Sequence, residues 1–170
     1  MTKNTQVTLN DVEQRLVKTV AKARFESNRE AGTAETCYIY PREHRYQQDI
    51  DGFGGELAFC KLFNVYPDTS THVRTTKTDV GDCVWNGFSI DVKTTTYPEG
   101  MLLANYGKQV TTVDYYALMT GVFPNYFYRG VIEADELLKK ERLANLGHPK
   151  PAYCVIQEEL KELTTITEQR

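Results

Sequence analysis

Gly81-Asp82-Cys83-Val84-Trp85-Asn86-Gly87-Phe88-Ser89-Ile90-Asp91-Val92-Lys93-Thr94 is the stretch on which the reading of this chain turns. Asn86-Gly87 stands between two apolar-rich runs. Both residues accept the positive φ that a type I′ turn demands, so the pair predicts a β-hairpin with a two-residue loop. Such a loop fixes the register: Trp85 opposite Phe88, Val84 opposite Ser89, Cys83 opposite Ile90 and Asp82 opposite Asp91. Side chains alternate along a strand. One face then carries Cys83, Trp85, Phe88, Ile90 and Val92 and belongs on the core. The other carries Asp82, Val84, Ser89, Asp91, Lys93 and Thr95.

In that register two carboxylates face each other, with Cβ atoms roughly 5 Å apart, an arrangement that destabilises a sheet unless something offsets it. A hard divalent cation does so. Mg²⁺ prefers oxygen donors and commonly takes one or two carboxylates together with waters and a substrate phosphate. The Lys93 ammonium beside them can orient or deprotonate an attacking water, or stabilise charge developing on a phosphate. A solvated hairpin face, with Lys93 simply neutralising Asp91, gives the same pattern. Asp79 is a competing acid, but the register leaves it outside the pairing.

Outward from the hairpin, Asn10 and Glu13 form a capping-box signature. Val12, Leu16, Val20 and Ala23 follow at helical spacing, predicting a helix over about 11–30 that ends near Gly32. The segment from Thr33 to Gln48 reads as an irregular excursion. Asp51 to Phe63 begins with glycines as punctuation and continues as a short buried helix closed by Asn64 or Asp68. His72 to Thr76 alternates weakly. Tyr115 to Gly121 is a compact apolar run typical of a central strand, and Tyr126 to Ile132 predicts another. Ala134 to Leu146 reads as a helix stopped by Gly147 and Pro149. A short strand over Ala152 to Ile156 and a last helical turn around Leu160 and Leu163 complete the chain. Helix, helix, strands and helix in that order predict an α/β (α+β) protein with a central mixed β-sheet flanked by helices.

The 170 residues suit one domain, and a chain of that size buries roughly 70 % of its unfolded surface. No apolar run nears the ~18 residues of a membrane span. Met1 to Asn10 is polar and carries no signal-peptide core, so a cytoplasmic, non-membrane protein is expected. Cys37, Cys60, Cys83 and Cys154 are too scattered for a zinc site, and His44, His72 and His148 add no ligand spacing; reduced, mostly buried thiols are expected. A net charge of −3 argues against a protein that coats nucleic acid, though not against an enzyme with a local grip.

With Asp82 followed by Asp91-Val92-Lys93, and with Gly54-Gly55-Glu56-Leu57-Ala58 on the preceding helix, the chain resembles the PD-(D/E)XK nuclease superfamily over roughly Asp51 to Ile132. Asp114-Tyr-Tyr-Ala-Leu-Met matches the hydrophobic strand that follows the lysine strand in that superfamily. Gly81 stands where many members have proline. Small phage-encoded members are nearest in character. The resemblance implies a restriction-endonuclease-like fold and a Mg²⁺-dependent deoxyribonuclease, an endonuclease by preference, with Mn²⁺ as substitute. It further implies DNA as substrate and is compatible with a homodimer. Its roles carry over as follows. Asp82 and Asp91 bind the metal, joined by the Val92 carbonyl. Lys93 positions or activates water. Glu56 binds metal directly or through water, or orients Lys93; the same glutamate is also simply favourable near a helix N-terminus.

Other residues carry weaker signals. Thr94, Thr95 and Thr96 are candidates for phosphate contact but are ordinary strand residues. Arg42, His44 and Arg45, interleaved with Tyr40 and Tyr46, suit either a backbone grip or a solvated loop. Lys108 follows Gly107 where substrate contacts are common. Lys139, Lys140 and Arg142 read as a solvated face, and Trp85 as core. Two further readings remain open: a catalytically silent nuclease-fold module that binds DNA or a protein, and an unrelated α+β fold with surface acids.

Overall fold

The computed structural model describes residues 2–31, 44–71, 81–108, 113–147 and 150–164. The expectations that fall on His72 to Thr76, on Asp79, on Cys37 and on most of the Thr33–Gln48 excursion lie outside them.

The first long helix, α1 (Asp11–Glu30), starts where its capping box places it. The Asn10 side chain accepts from the amides of Val12 and Glu13, and the Glu13 carboxylate accepts from the Asn10 amide. The second, α2 (Arg45–Phe63), starts six residues before the expected Asp51 and runs straight through the glycines. Gly54 and Gly55 are contact positions. A Cβ at Gly54 would stand 2.1 Å from the Tyr126 hydroxyl, and one at Gly55 would stand 2.0 Å from Thr94 Oγ1. Only glycine lets the helix lie this close to the strands beneath. Asn64 ends α2 in the left-handed conformation, as the sequence suggests.

Eight strands follow or flank these helices: β1 (Gln6–Thr8), β2 (Cys83–Trp85), β3 (Phe88–Thr95), β4 (Leu102–Asn105), β5 (Tyr115–Val122), β6 (Asn125–Glu133), β7 (Leu143–Ala144) and β8 (Ala152–Val155). Five form a mixed sheet in the order β1-β6-β5-β3-β2, parallel only between β3 and β5. β4, β8 and β7 form a separate antiparallel sheet. The protein is of the α+β class, with its two long helices on one face of its main sheet.

β5 shows why. Its residues 115–120 are all buried, the mark of a strand covered on both faces. Tyr115, Ala117 and Met119 point to α1 and α2 and share a core with Ile90 and Val92. Tyr116 and Leu118 point the other way, into a second core under the small sheet and the short helix α3 (Ala134–Leu137).

The hairpin has the expected register, Cys83↔Ile90, Val84↔Ser89 and Trp85↔Phe88, with Asn86 at φ 48° and Gly87 at φ 86°. The long helix expected over Ala134–Leu146 is not formed. α3 stops at Leu137, a 3₁₀ turn spans Lys140–Arg142, and Leu143 pairs with Tyr153 as β7. Arg142 Nε donates to the Glu136 carbonyl and holds the chain in this tighter path. β1 and β4 are strands the sequence did not announce. Among the described residues no helix is long and apolar enough to cross a membrane.

Candidate functional site

β3 presents Asp91 and Lys93 on the face away from the long helices, because Ile90 and Val92 take the helical side. Asp91 lies beside Tyr116 of β5, and Lys93 beside Leu118. Asp91 is only 3 % exposed. Its Oδ1 is paired with Lys93 Nζ, and its Oδ2 accepts from Lys108 Nζ at 2.9 Å. Burial pushes the Asp91 carboxyl up, but the two ammoniums outweigh it and hold the group below the usual carboxylate value. Lys93 leans over the Tyr116 ring, 5.9 Å from its centroid, and its side chain keeps 30 % of its surface open to solvent. Burial pulls the Lys93 ammonium down, yet the Asp91 and Asp82 carboxylates outweigh that and raise it above the ordinary lysine range. Lys93 is therefore a fixed positive charge at neutral pH.

Asp82 does not sit where a straight continuation of the ladder would put it. The pairing ends at Cys83↔Ile90. Gly81, at φ 86°, turns the chain so tightly that a Cβ there would lie 2.8 Å from the Ile90 carbonyl oxygen. The Asp82 amide then donates to that same Ile90 carbonyl at 2.7 Å, and the Asp82 carboxylate accepts from the Val92 amide at 2.7 Å. Gly81 thus swings the acid over the free edge of β3. Asp82 is 4 % exposed and acts electrostatically on Lys93 on one side and on the Cys60 thiol on the other.

The structure gathers Asp82, Asp91 and Lys93, together with Lys108. Glu56 stands apart. It projects from α2, on the opposite face of the sheet from Asp91, and pairs with Arg24 of α1 at 2.9 Å. Arg24 also donates to the carbonyls of Asp68 and Ser70. Cys60 lies between Glu56 and the group: its thiol feels both Glu56 and Asp82 and is hydrogen-bonded to Cys83. Among the described residues no three His, Cys, Asp or Glu side chains stand close enough together to hold a metal between them. Cys60, Cys83 and Cys154 are free thiols, the first two buried.

Of the weaker candidates, Lys108 joins the cluster, and several others make structural contacts. Thr94 lies against Gly55, and Thr95 Oγ1 accepts from the Tyr97 amide at 3.3 Å. Tyr46 packs edge-on against Phe25, while Arg42 and Tyr40 lie outside the described residues. Trp85 is half-buried beside Phe63. Lys139 pairs with Glu136 along the surface. Sequence reasoning missed Arg24 as the partner of Glu56. It also missed Asp114, whose carboxylate accepts from both the amide and the hydroxyl of Ser89 and ties the start of β5 to the hairpin.

Searches of curated proteins and of solved structures find no match to this chain. A family model does match, over residues 3–163, and so takes in every residue of the cluster just described. The chain belongs to that family, a family of unknown function designated DUF5843.

Proposed function

We propose that this chain is a Mg²⁺-dependent nuclease that hydrolyses phosphodiester bonds in DNA, with Asp82, Asp91 and Lys93 as its reacting centre. The observation that carries the proposal is the burial of two carboxylates, 4 % and 3 % exposed, around one partly open lysine. Buried ions are a poor route to stability, since apolar residues of similar volume serve as well or better. Clusters of this kind concentrate at functional sites.

The donors fit a hard cation. Asp82, Asp91 and the Val92 carbonyl offer oxygen only, and Mg²⁺ completes its shell with water and substrate, so a third side chain is not required. Glu56, paired with Arg24 on the other face of the sheet, is not counted among the donors to the ion. When bound, the ion supplies Lewis-acid polarisation of a phosphoryl oxygen and acidifies water. Lys93 stays charged, so it orients the attacking water and stabilises negative charge on the phosphate and does not serve as the base. The Tyr116 ring and the β3–β5 pairing hold its ammonium in place. The choice of DNA rests on the likeness of the motif to PD-(D/E)XK nucleases.

The test is incubation of the purified protein with plasmid, linear and branched DNA in Mg²⁺ or Mn²⁺. Cleavage by the wild type should fall about 10²-fold or more in Lys93→Ala and Asp91→Ala. Absence of cleavage by the wild type, or cleavage by Lys93→Ala and Asp91→Ala equal to that of the wild type, overturns the proposal. One observation favours a second reading, a catalytically silent binding module: both Asp91 oxygens are already engaged by lysines. That reading predicts no Mn²⁺ uptake by calorimetry.

A further inference from the structure

We infer that Lys108 is an exchangeable counter-ion of the site: it occupies Asp91 before a divalent cation binds, and passes to the substrate phosphate once the cation takes that oxygen. The inference rests on the metal-dependent reading of Asp82 and Asp91 given above.

The two lysines on Asp91 are not equivalent. Lys93 lies two residues along the same strand, and its ammonium is flanked by the Tyr116 ring, so β3 and β5 set its position. Lys108 arrives from the turn after β4, where its amide donates to the Asn105 carbonyl at 3.0 Å. At the neighbouring Gly107 a Cβ would meet no atom within 4 Å. A lysine carries a compact charge on a flexible four-carbon stem. Its ammonium can therefore leave Asp91 Oδ2 while the backbone of the turn stays where it is.

Charge accounting points the same way. Among the described residues Asp91 pairs with both Lys93 and Lys108, Asp82 acts on Lys93, and Glu56 pairs with Arg24. A divalent cation that displaces Lys108 from Oδ2 adds two positive charges to a largely buried place, which is costly. A phosphodiester brings one negative charge, and addition of hydroxide to phosphorus brings a second. The displaced ammonium thus finds its new partner at the reacting phosphate, and the charge that the cation added is matched in the transition state, where stabilisation accelerates the reaction.

Mn²⁺ binding to the full chain, measured by calorimetry without DNA, tests this. Lys108→Gln removes the competing charge and should bind Mn²⁺ at least about tenfold more tightly than wild type. Lys108→Arg should bind Mn²⁺ more weakly, because a guanidinium grips a carboxylate with two N–H groups; it serves also if the Gln variant does not fold. Labelled duplex DNA, followed by fluorescence anisotropy with Ca²⁺ in place of Mg²⁺, should bind Lys108→Gln more weakly than wild type. Equal or weaker Mn²⁺ binding by Lys108→Gln, alongside clear binding by wild type, makes Lys108 a structural partner and overturns this inference alone. Failure of wild type and both variants to bind Mn²⁺ overturns the metal reading and this inference with it. Binding by Lys108→Gln alone supports both.

Discussion

At the scale of single residues, Asp82 has two duties that substitution can separate. Its carboxylate accepts from the buried Val92 amide, and on the proposed reading it also binds the cation. Asparagine keeps a carbonyl oxygen for the amide but loses the charge. Alanine loses both and leaves the amide without its acceptor, which costs about 1–3 kcal/mol. Asp82→Asn should therefore unfold in urea close to wild type, while Asp82→Ala unfolds earlier by that amount, and neither should take up Mn²⁺. Equal stability of the two variants would show that the carboxylate does not hold β3. Much of this chemistry was legible in the sequence. Asp82, Asp91 and Lys93 share one hairpin whose register Asn86-Gly87 dictates, so local geometry brings them together. Lys108 was noticed only for its place in a loop, and Arg24 not at all. Each reaches the site from a distant element, and no local spacing encodes that. The position of the Asp82 carboxylate was missed for a subtler reason: Gly81 breaks the alternation that the register presumes.

Elements were legible where their signals were local and illegible where tertiary contact overrode them. The α1 capping box and the hairpin turn are satisfied within a few residues of themselves. Gly52, Gly54 and Gly55 look alike in sequence and differ entirely in the fold. A Cβ on Gly52 would meet nothing within 4 Å, whereas one on Gly54 would run into Tyr126, 72 residues later and fully buried. Gly52→Ala should therefore stabilise the protein by up to about 1 kcal/mol through helix propensity. Gly54→Ala must shift α2 or the tyrosine, and should cost about 1–3 kcal/mol. The Tyr126 hydroxyl, which donates to the Asp51 carbonyl at 3.2 Å, is the nearest obstacle. Adding Tyr126→Phe to Gly54→Ala should then recover part of the loss, because the ring carbon at 2.9 Å remains. Urea midpoints of the singles and the double close the cycle, and strict additivity would remove this contact as the reason α2 carries glycine. The truncated α3 follows the same logic. Leu143 had the spacing of a helix but pairs with Tyr153, and a strand partner ten residues on left no trace in the helical pattern.

Across the whole molecule, Asp49 and Asp51 on the helical layer and Asp91 on the opposite face respond to pH with opposite sign. Burial, only partly countered by Arg24, raises Asp49 from 3.8 to about 6. Burial also raises Asp51, against the Phe123 amide and Gln47, which lower it. Both belong to α2. Between the ordinary and the folded values these groups hold more protons in the folded chain than in the unfolded one, so stability falls as pH rises through that window. Asp91 lies on the other side of the balance. Its folded value is depressed, so its contribution is complete above 3.8 and is lost only as pH falls further, through the folded value. From pH 4 to 6 Asp91 is silent, while Asp49 and Asp51 lower the stability as pH rises. The wild type should therefore be more stable near pH 5 than at pH 7.5. Asp49→Asn should gain on the order of 1 kcal/mol at pH 7.5, discounted for the partial exposure of the side chain, and nothing near pH 3.8. Arg24 is not orphaned by this change, since Glu56 and the Asp68 and Ser70 carbonyls still engage it. Thermal unfolding of both proteins at pH 4, 5, 6 and 7.5 measures the gap. A gap that stays constant with pH, or an Asp49→Asn variant less stable than wild type at pH 7.5, would mean that the Arg24 attraction outweighs burial at Asp49.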